Sequence, residues 1–224
     1  MGTLRERADA MAAEGVFLGG PPQVFEVAGR RLLATLLHEG LSPSSRVLDI
    51  GCGCLRGGYW LIHFLDAGGY FGIEPNVGML DAGLRVLLEP GLAEAKGPRF
   101  DTNSSFDLTV FDTTFDFVVA RSIWTHASKA HIETMLDGFL KVANPEAVFL
   151  TSYLPASIFK GDYKGGNWVG ISHESKTAGM VRHRFKWIRT ACDVRGLSAV
   201  ELTARPLNFG NQTWIRITQR SARA

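Results

Sequence analysis

The sequence predicts an α/β domain built on a mostly parallel, seven-stranded sheet with helices on both faces. Three observations predict it. Short, largely apolar runs at 47–50, 70–74, 115–120 and 147–153, with a weak strand near 99–101, alternate with segments whose apolar residues follow helical spacing. The run 115–120 is almost wholly apolar, as expected of a strand covered on both faces. Finally, Arg46-Val47-Leu48-Asp49-Ile50-Gly51-Cys52-Gly53-Cys54-Leu55-Arg56-Gly57-Gly58 passes from a buried strand through closely spaced glycines into a helix-like segment. A strand that stops, turns tightly and offers free N–H groups is how an open sheet of this kind holds a ligand.

The elements follow in order. Residues 3–15 read as a helix rich in Arg, Glu and Ala, broken by the glycines and prolines of 16–22. From 24 to 38, Phe25, Ala28, Leu32, Leu33, Leu36 and Leu37 keep helical spacing, and Gly40 is a fitting stop. The first strand at 47–50 leads to a helix at 57–65, and the second at 70–74 to a helix at 77–88 ended by Pro90-Gly91. A weak third strand lies near 99–101 and the fourth at 115–120; a helix at 128–142 then precedes the fifth at 147–153. Residues 155–181 show no period and read as a loop or substrate lid. A helix at 183–194 and strands at 199–203 and 213–218 close the chain. One domain over 1–224 is expected, with 1–40 as a helical cover.

Composition narrows the function classes. With 24 Lys and Arg against 22 Asp and Glu, the net charge of +2 gives no electrostatic reason to expect nucleic acid, and the basic end (Arg216, Arg220, Arg223) is short. No apolar run approaches the roughly 20 residues needed to span a bilayer. The first residues lack the apolar stretch of a signal peptide, and Glu6 stands where an acylation signal wants Ser or Thr. Three cysteines make no disulfide framework and suit a reducing cytoplasm. Cys52 and Cys54 lack the second ligand pair of a zinc site, so no metal is expected.

The glycine turn carries the chemistry. A dinucleotide turn wants G-x-G-x-x-G around a pyrophosphate; Gly51 and Gly53 fit, but Arg56 stands in the third place. Asp49 suits a ligand bearing positive charge better than a diphosphate. Glu74 falls 25 residues after Asp49, near the spacing of about 20 expected for an acid that reads a ribose. As a carboxylate at a strand tip it can accept both ribose hydroxyls.

On this turn the chain resembles the class I S-adenosylmethionine-dependent methyltransferases, a Rossmann-like family whose first motif is an acid-x-G-x-G at the end of the first strand. The resemblance covers roughly residues 16–154 by motif and the remainder by topology. It implies S-adenosylmethionine as cofactor and S-adenosylhomocysteine as product, held by Asp49, Gly51, Cys52, Gly53 and Glu74. It also implies a third acid at the adenine edge; Asp101 fits better than Asp107, and either could be an ordinary loop or N-cap residue. The stretch 115–128 resembles the family's fourth motif and turns the backbone of Ala120, Arg121 and Ser122 toward the cofactor's reacting end.

His126 lies just past that strand, where a base is useful; His173 and His183 are rivals that the lid could bring over the site. Asp81 and Glu174 remain open as bases. Trp124, Tyr163, Trp168 and Trp187 line an acceptor pocket or merely pack, and 17–22 folds over the cofactor or is a plain turn. The chain has neither the Asn/Asp-Pro-Pro-Tyr of amino-directed nucleic-acid methyltransferases nor a Pro-Cys nucleophile. The expected reaction is therefore methyl transfer to a small-molecule or sugar acceptor, most plausibly at oxygen, by a monomer or homodimer. The alternatives are a non-catalytic S-adenosylmethionine-binding module and, further off, a nicotinamide-dependent oxidoreductase.

Overall fold

The computed structural model describes residues 2–170, 177–202 and 211–220. The expected site residue His173 and the possible base Glu174 lie outside the described residues. The chain forms an α/β fold of seven strands in the order β3-β2-β1-β4-β5-β7-β6. Two compact units divide it, residues 1–104 and 105–224.

The first unit opens with α1 (Leu4–Ala13), started by a reciprocal cap. Thr3 accepts the Glu6 N–H at 3.2 Å, and the Glu6 carboxylate accepts the Thr3 N–H at 2.7 Å. A short 3₁₀ turn at Pro22–Val24 leads into α2 (Phe25–His38), whose buried face is Phe25, Ala28, Gly29, Leu32, Thr35 and Leu36. Then come β1 (Val47–Ile50), α3 (Gly58–Phe64), β2 (Tyr70–Ile73), α4 (Val77–Ala82), α5 (Leu92–Lys96) and β3 (Arg99–Asp101). The β1–β2 and β2–β3 pairs are parallel, with Asp49 opposite Gly72 and Ile50 opposite Ile73. Every residue of β1 and β2 is buried, which is why both read as apolar runs, β1 interrupted only by Asp49.

The second unit begins with a 3₁₀ turn (Leu108–Phe111) and β4 (Phe115–Ala120). It continues through α6 (Lys129–Val142), β5 (Ala143–Tyr153), α7 (Phe185–Asp193), β6 (Leu197–Leu202) and β7 (Thr213–Gln219). β4 and β5 are parallel, whereas β7 runs antiparallel to both β5 and β6.

Several boundaries differ from the periodicity. The helix expected over 77–88 is α-helical only to Ala82 and continues as a π turn, Gly83–Leu87. Packing explains the glycine there: a Cβ at Gly83 would lie 2.7 Å from the Cys54 backbone. α5 follows Pro90-Gly91, where the sequence suggested only a stop. β5 starts four residues early, directly after α6, because its first residues are partly exposed and show no apolar signal. The last helix starts at Phe185, not 183. His183 instead forms an extended bridge with Pro155.

Candidate active site

In the first unit the site is built on the end of β1. Gly51 and Gly53 both have left-handed backbones, with φ of 71° and 58°. The N–H groups of Gly51 and Cys52 both donate to the Ile73 carbonyl, at 2.8 and 3.2 Å, which folds the turn back over β2. This brings Glu74 beside it: the Gly53 N–H donates to Glu74 Oε2 at 2.9 Å and the Asn76 N–H to Oε1 at 2.8 Å. Asn76 in turn caps α4 by accepting the Met79 N–H at 3.1 Å. Each Glu74 oxygen therefore accepts one backbone N–H.

Asp49 is buried, and the Tyr70 hydroxyl donates to its Oδ2 at 2.9 Å. Burial raises its carboxyl to about 7, against the opposing pull of the Tyr70 bond. Nothing at the sequence level singled out Tyr70; the parallel register of β1 on β2 creates the pair. Cys52 contributes its backbone, since its thiol packs inward where a Cβ at Gly72 would meet it at 2.8 Å. Burial also pushes that thiol well above its usual range. The Cys54 thiol goes up to about 11 for the same reason. No grouping of three His, Cys, Asp or Glu that could hold a metal occurs among the described residues.

Asp101 ends β3, parallel to β2, and its Oδ1 accepts the Asn103 backbone N–H at 2.8 Å and the Asn103 amide at 2.6 Å. Asp107 is used locally instead. It caps the 3₁₀ turn by accepting from the Thr109 N–H and hydroxyl at 2.9 and 2.7 Å, bonds that hold its carboxyl below the ordinary value. Segment 16–22 meets Arg56, whose Nη1 donates to the Gly19 carbonyl at 3.1 Å.

In the second unit, the end of β4 holds a strained residue. Ser122 has φ of 62°, uncommon for a residue with a side chain. A ring of polar groups fixes it. The Ser122 N–H donates to Ser152 Oγ at 2.8 Å, Ser152 donates to Gln212 Oε1 at 2.6 Å, and Gln212 Nε2 donates to Ser122 Oγ at 2.6 Å. Ser152 and Gln212 lie 30 and 90 residues from Ser122, so no local pattern reveals them. Ala120 is buried, its carbonyl accepting the Thr151 hydroxyl at 3.1 Å, and the Arg121 guanidinium lies 5.4 Å from the Trp214 ring centroid.

His126 Nδ1 donates to the Val169 carbonyl at 2.6 Å, and the ring stacks on Trp168 at 5.5 Å. Burial lowers its pKa from the usual value, opposed by the carbonyls of Val169 and Gly179. The Val169 N–H donates back to the His126 carbonyl at 2.9 Å and the Val181 N–H to the Thr125 carbonyl at 2.7 Å. The loop after β5 is thus docked on the His126 turn. Its exposed tip is Ile158 and Phe159.

His183 has another setting. It is wholly buried, with Nε2 on the Ala127 carbonyl at 3.0 Å, and Tyr163 and Trp187 lie against its ring. Burial lowers its pKa too. This is a histidine that ties the end of β5 to the start of α6, so its placement corrects the expectation of a lid-borne base. Trp124 packs edge-on against Phe149 in the core. Asp81 is exposed on α4.

No protein-family model and no curated protein sequence matches the chain. Solved structures do. The magnesium protoporphyrin IX methyltransferase ChlM of Synechocystis PCC 6803, with S-adenosylmethionine bound, is 16% identical at a TM-score of 0.60, over 88% of this chain and 81% of that one. The CcbJ methyltransferase of Streptomyces caelestis is 15% identical at 0.63, over 92% and 93%. DhpI, in complex with S-adenosylhomocysteine, is 14% identical at 0.62, over 98% and 96%. At such identities the likeness is one of fold: this chain has the fold of the class I S-adenosylmethionine-dependent methyltransferases.

Proposed function

We propose that the chain transfers a methyl group from S-adenosylmethionine to a small-molecule acceptor, at oxygen. The observation that carries this reading is Glu74, a buried carboxylate just past β2 that accepts the Gly53 N–H of the glycine turn and the Asn76 N–H. A diphosphate beside Glu74 and Asp49 would meet two carboxylates; a sulfonium and an ammonium suit them. The similar structures solved with S-adenosylmethionine or S-adenosylhomocysteine support the same cofactor.

Bound, S-adenosylmethionine supplies a methyl group whose bond to sulfur breaks, with its electrons, as the bond to the acceptor oxygen forms. The chain's part is to hold and align. Gly51, Cys52 and Gly53 offer backbone that a side chain would hold off, Glu74 takes the ribose, Asp101 the adenine edge, and Asp49 favours the cationic end. Ala120, Arg121 and Ser122 face the reacting end. His126 takes the acceptor proton on Nε2, since Nδ1 is committed to Val169; its lowered pKa keeps the ring neutral and basic near neutral pH.

Calorimetric titration with S-adenosylhomocysteine and, separately, NADH tests the reading. Saturable binding of S-adenosylhomocysteine alone is expected. Glu74→Ala should weaken it by roughly a hundredfold, because two backbone donors and the ribose lose their acceptor. Binding of NADH alone, or of neither ligand, would sink the proposal.

A further inference from the structure

We propose that Trp168 and Gly170 are positioning residues for His126: together they hold its ring on the Val169 carbonyl, which selects the tautomer with a lone pair on Nε2. The inference rests on the reading of His126 as the base and deepens it, because it makes the loop after β5 part of that base.

A neutral histidine carries one ring proton, and the bond made by one nitrogen decides which nitrogen keeps a lone pair. In water the proton prefers Nε2, so a base that acts through Nε2 needs a fixed acceptor at Nδ1. Val169 supplies it in a two-point contact. Its carbonyl accepts from His126 Nδ1 at 2.6 Å, and its N–H donates to the His126 carbonyl at 2.9 Å. Main chain and ring are thus held by one residue. The loop carbonyl takes the orienting part that a carboxylate plays in a Ser-His-Asp triad, without the charge.

Gly170 decides whether the ring can lie there. Its φ is 135°, and a Cβ at that position would fall 2.4 Å from His126 Nδ1 and 3.0 Å from Cε1. No side chain fits that space, so alanine would push the ring off the carbonyl. The Gly170 N–H donates to the Thr177 carbonyl at 2.8 Å, which keeps the backbone from retreating.

Trp168 is buried and stacks on the His126 ring, with centroids 5.5 Å apart and planes at 29°. The indole is itself set against Phe106 at 6.1 Å and His131 at 6.3 Å. His131 is fixed at the start of α6, where its Nδ1 accepts the Ser128 N–H at 3.2 Å. Trp168 therefore carries the rigidity of α6 to His126, and its face favours the imidazolium that forms on proton uptake. Farther along, Lys129 Nζ donates to Asp162 at 2.7 Å and the Arg184 N–H to the same carboxylate at 3.0 Å, which docks the loop's beginning. His183 makes the opposite bond, Nε2 to the Ala127 carbonyl at 3.0 Å, and so carries the opposite tautomer.

Nitrogen NMR of the imidazole rings in the full chain, above neutral pH, tests the assignment without any acceptor. Signals that vanish in His126→Gln identify the residue. Wild-type His126 should be protonated at Nδ1 alone, and His183 at Nε2. In Gly170→Ala, His126 should shift toward the Nε2-protonated form while His183 stays unchanged. Trp168→Leu adds no backbone strain and should shift His126 the same way, which decides the matter if Gly170→Ala fails to fold. Trp168→Phe should restore the wild-type signature. His126 protonated at Nε2 in the wild type would overturn the assignment, and a variant that keeps the wild-type signature would remove its residue from it. Calorimetry with S-adenosylhomocysteine on the same wild-type sample separates the two readings. The Nδ1-protonated signature without binding would leave tautomer selection standing and overturn its catalytic purpose together with the cofactor reading.

Discussion

The two units hold their chemistry in different ways. In the first, the candidate groups are backbone, placed by two left-handed glycines and one carboxylate that reaches across 21 residues to the Gly53 N–H. In the second, they are side chains held by partners distant in the sequence: Ser122 by Gln212, 90 residues on, and His126 by Val169, 43 residues on. The lesson is about tolerance. A backbone-built turn tolerates change at its side chains but not at its glycines or their packing neighbours. A side-chain-built site can lose a single residue and keep its fold.

The largest effect that would sharpen this contrast is at His126. His126→Ala should lower turnover by about a hundredfold or more, as loss of a general base does. S-adenosylhomocysteine affinity and the thermal midpoint should barely move. Near-normal turnover on an acceptor found by screening would remove the residue from the mechanism and leave it as an anchor for the loop.

Gly29→Ala should act the opposite way. The added methyl would meet the Arg56 carbonyl and, at 2.8 Å, the Trp60 ring, so stability should fall by about 1–3 kcal/mol, as overpacking does. S-adenosylhomocysteine binding should weaken with it. Denaturant unfolding and calorimetry on one preparation check both, and unchanged stability would mean that α2 shifts freely away from the turn.

The smallest expected effect is on pH. Burial raises Asp49 to about 7, so the folded state binds a proton that the unfolded chain has released above about 4. Stability from this group is therefore full below about 4 and is lost as pH rises toward 7. Binding of a cationic ligand favours the carboxylate, so affinity should rise with pH through about 7. Thermal midpoints and titrations from pH 5 to 8 measure both trends. Asp49→Asn should flatten them; a slope unchanged in that variant would assign the pH dependence to another group.

Legibility followed the same division. The strands at 47–50 and 115–120 were readable because burial on both faces leaves a mostly apolar run, broken only by Asp49 and Asp116, and β1 and β4 appear where expected. Glu74 was readable because its distance from Asp49 is set by one helix crossover. Spacing favoured Asp101 over Asp107, and spacing could not foresee that Asp107 caps the 3₁₀ turn through Thr109 while Asp101 accepts from Asn103. His183 looked like a mobile base because it borders a glycine-rich stretch, yet the bridge to Pro155 and the Ala127 carbonyl hold it in the core.

By itself the sequence determined the alternation of strand and helix, the tight turn at Gly51 and Gly53, and the acids at the strand ends. Those features depend on periodicity, glycine's freedom at positive φ and short chain segments, all of which are local. Only the tertiary structure decided that Tyr70 bonds Asp49, that Gln212 and Ser152 lock Ser122, and that Arg56 meets Gly19. Each of those pairs is joined by strand register or by loops closing over tens of residues, and no local pattern records which distant side chain will arrive.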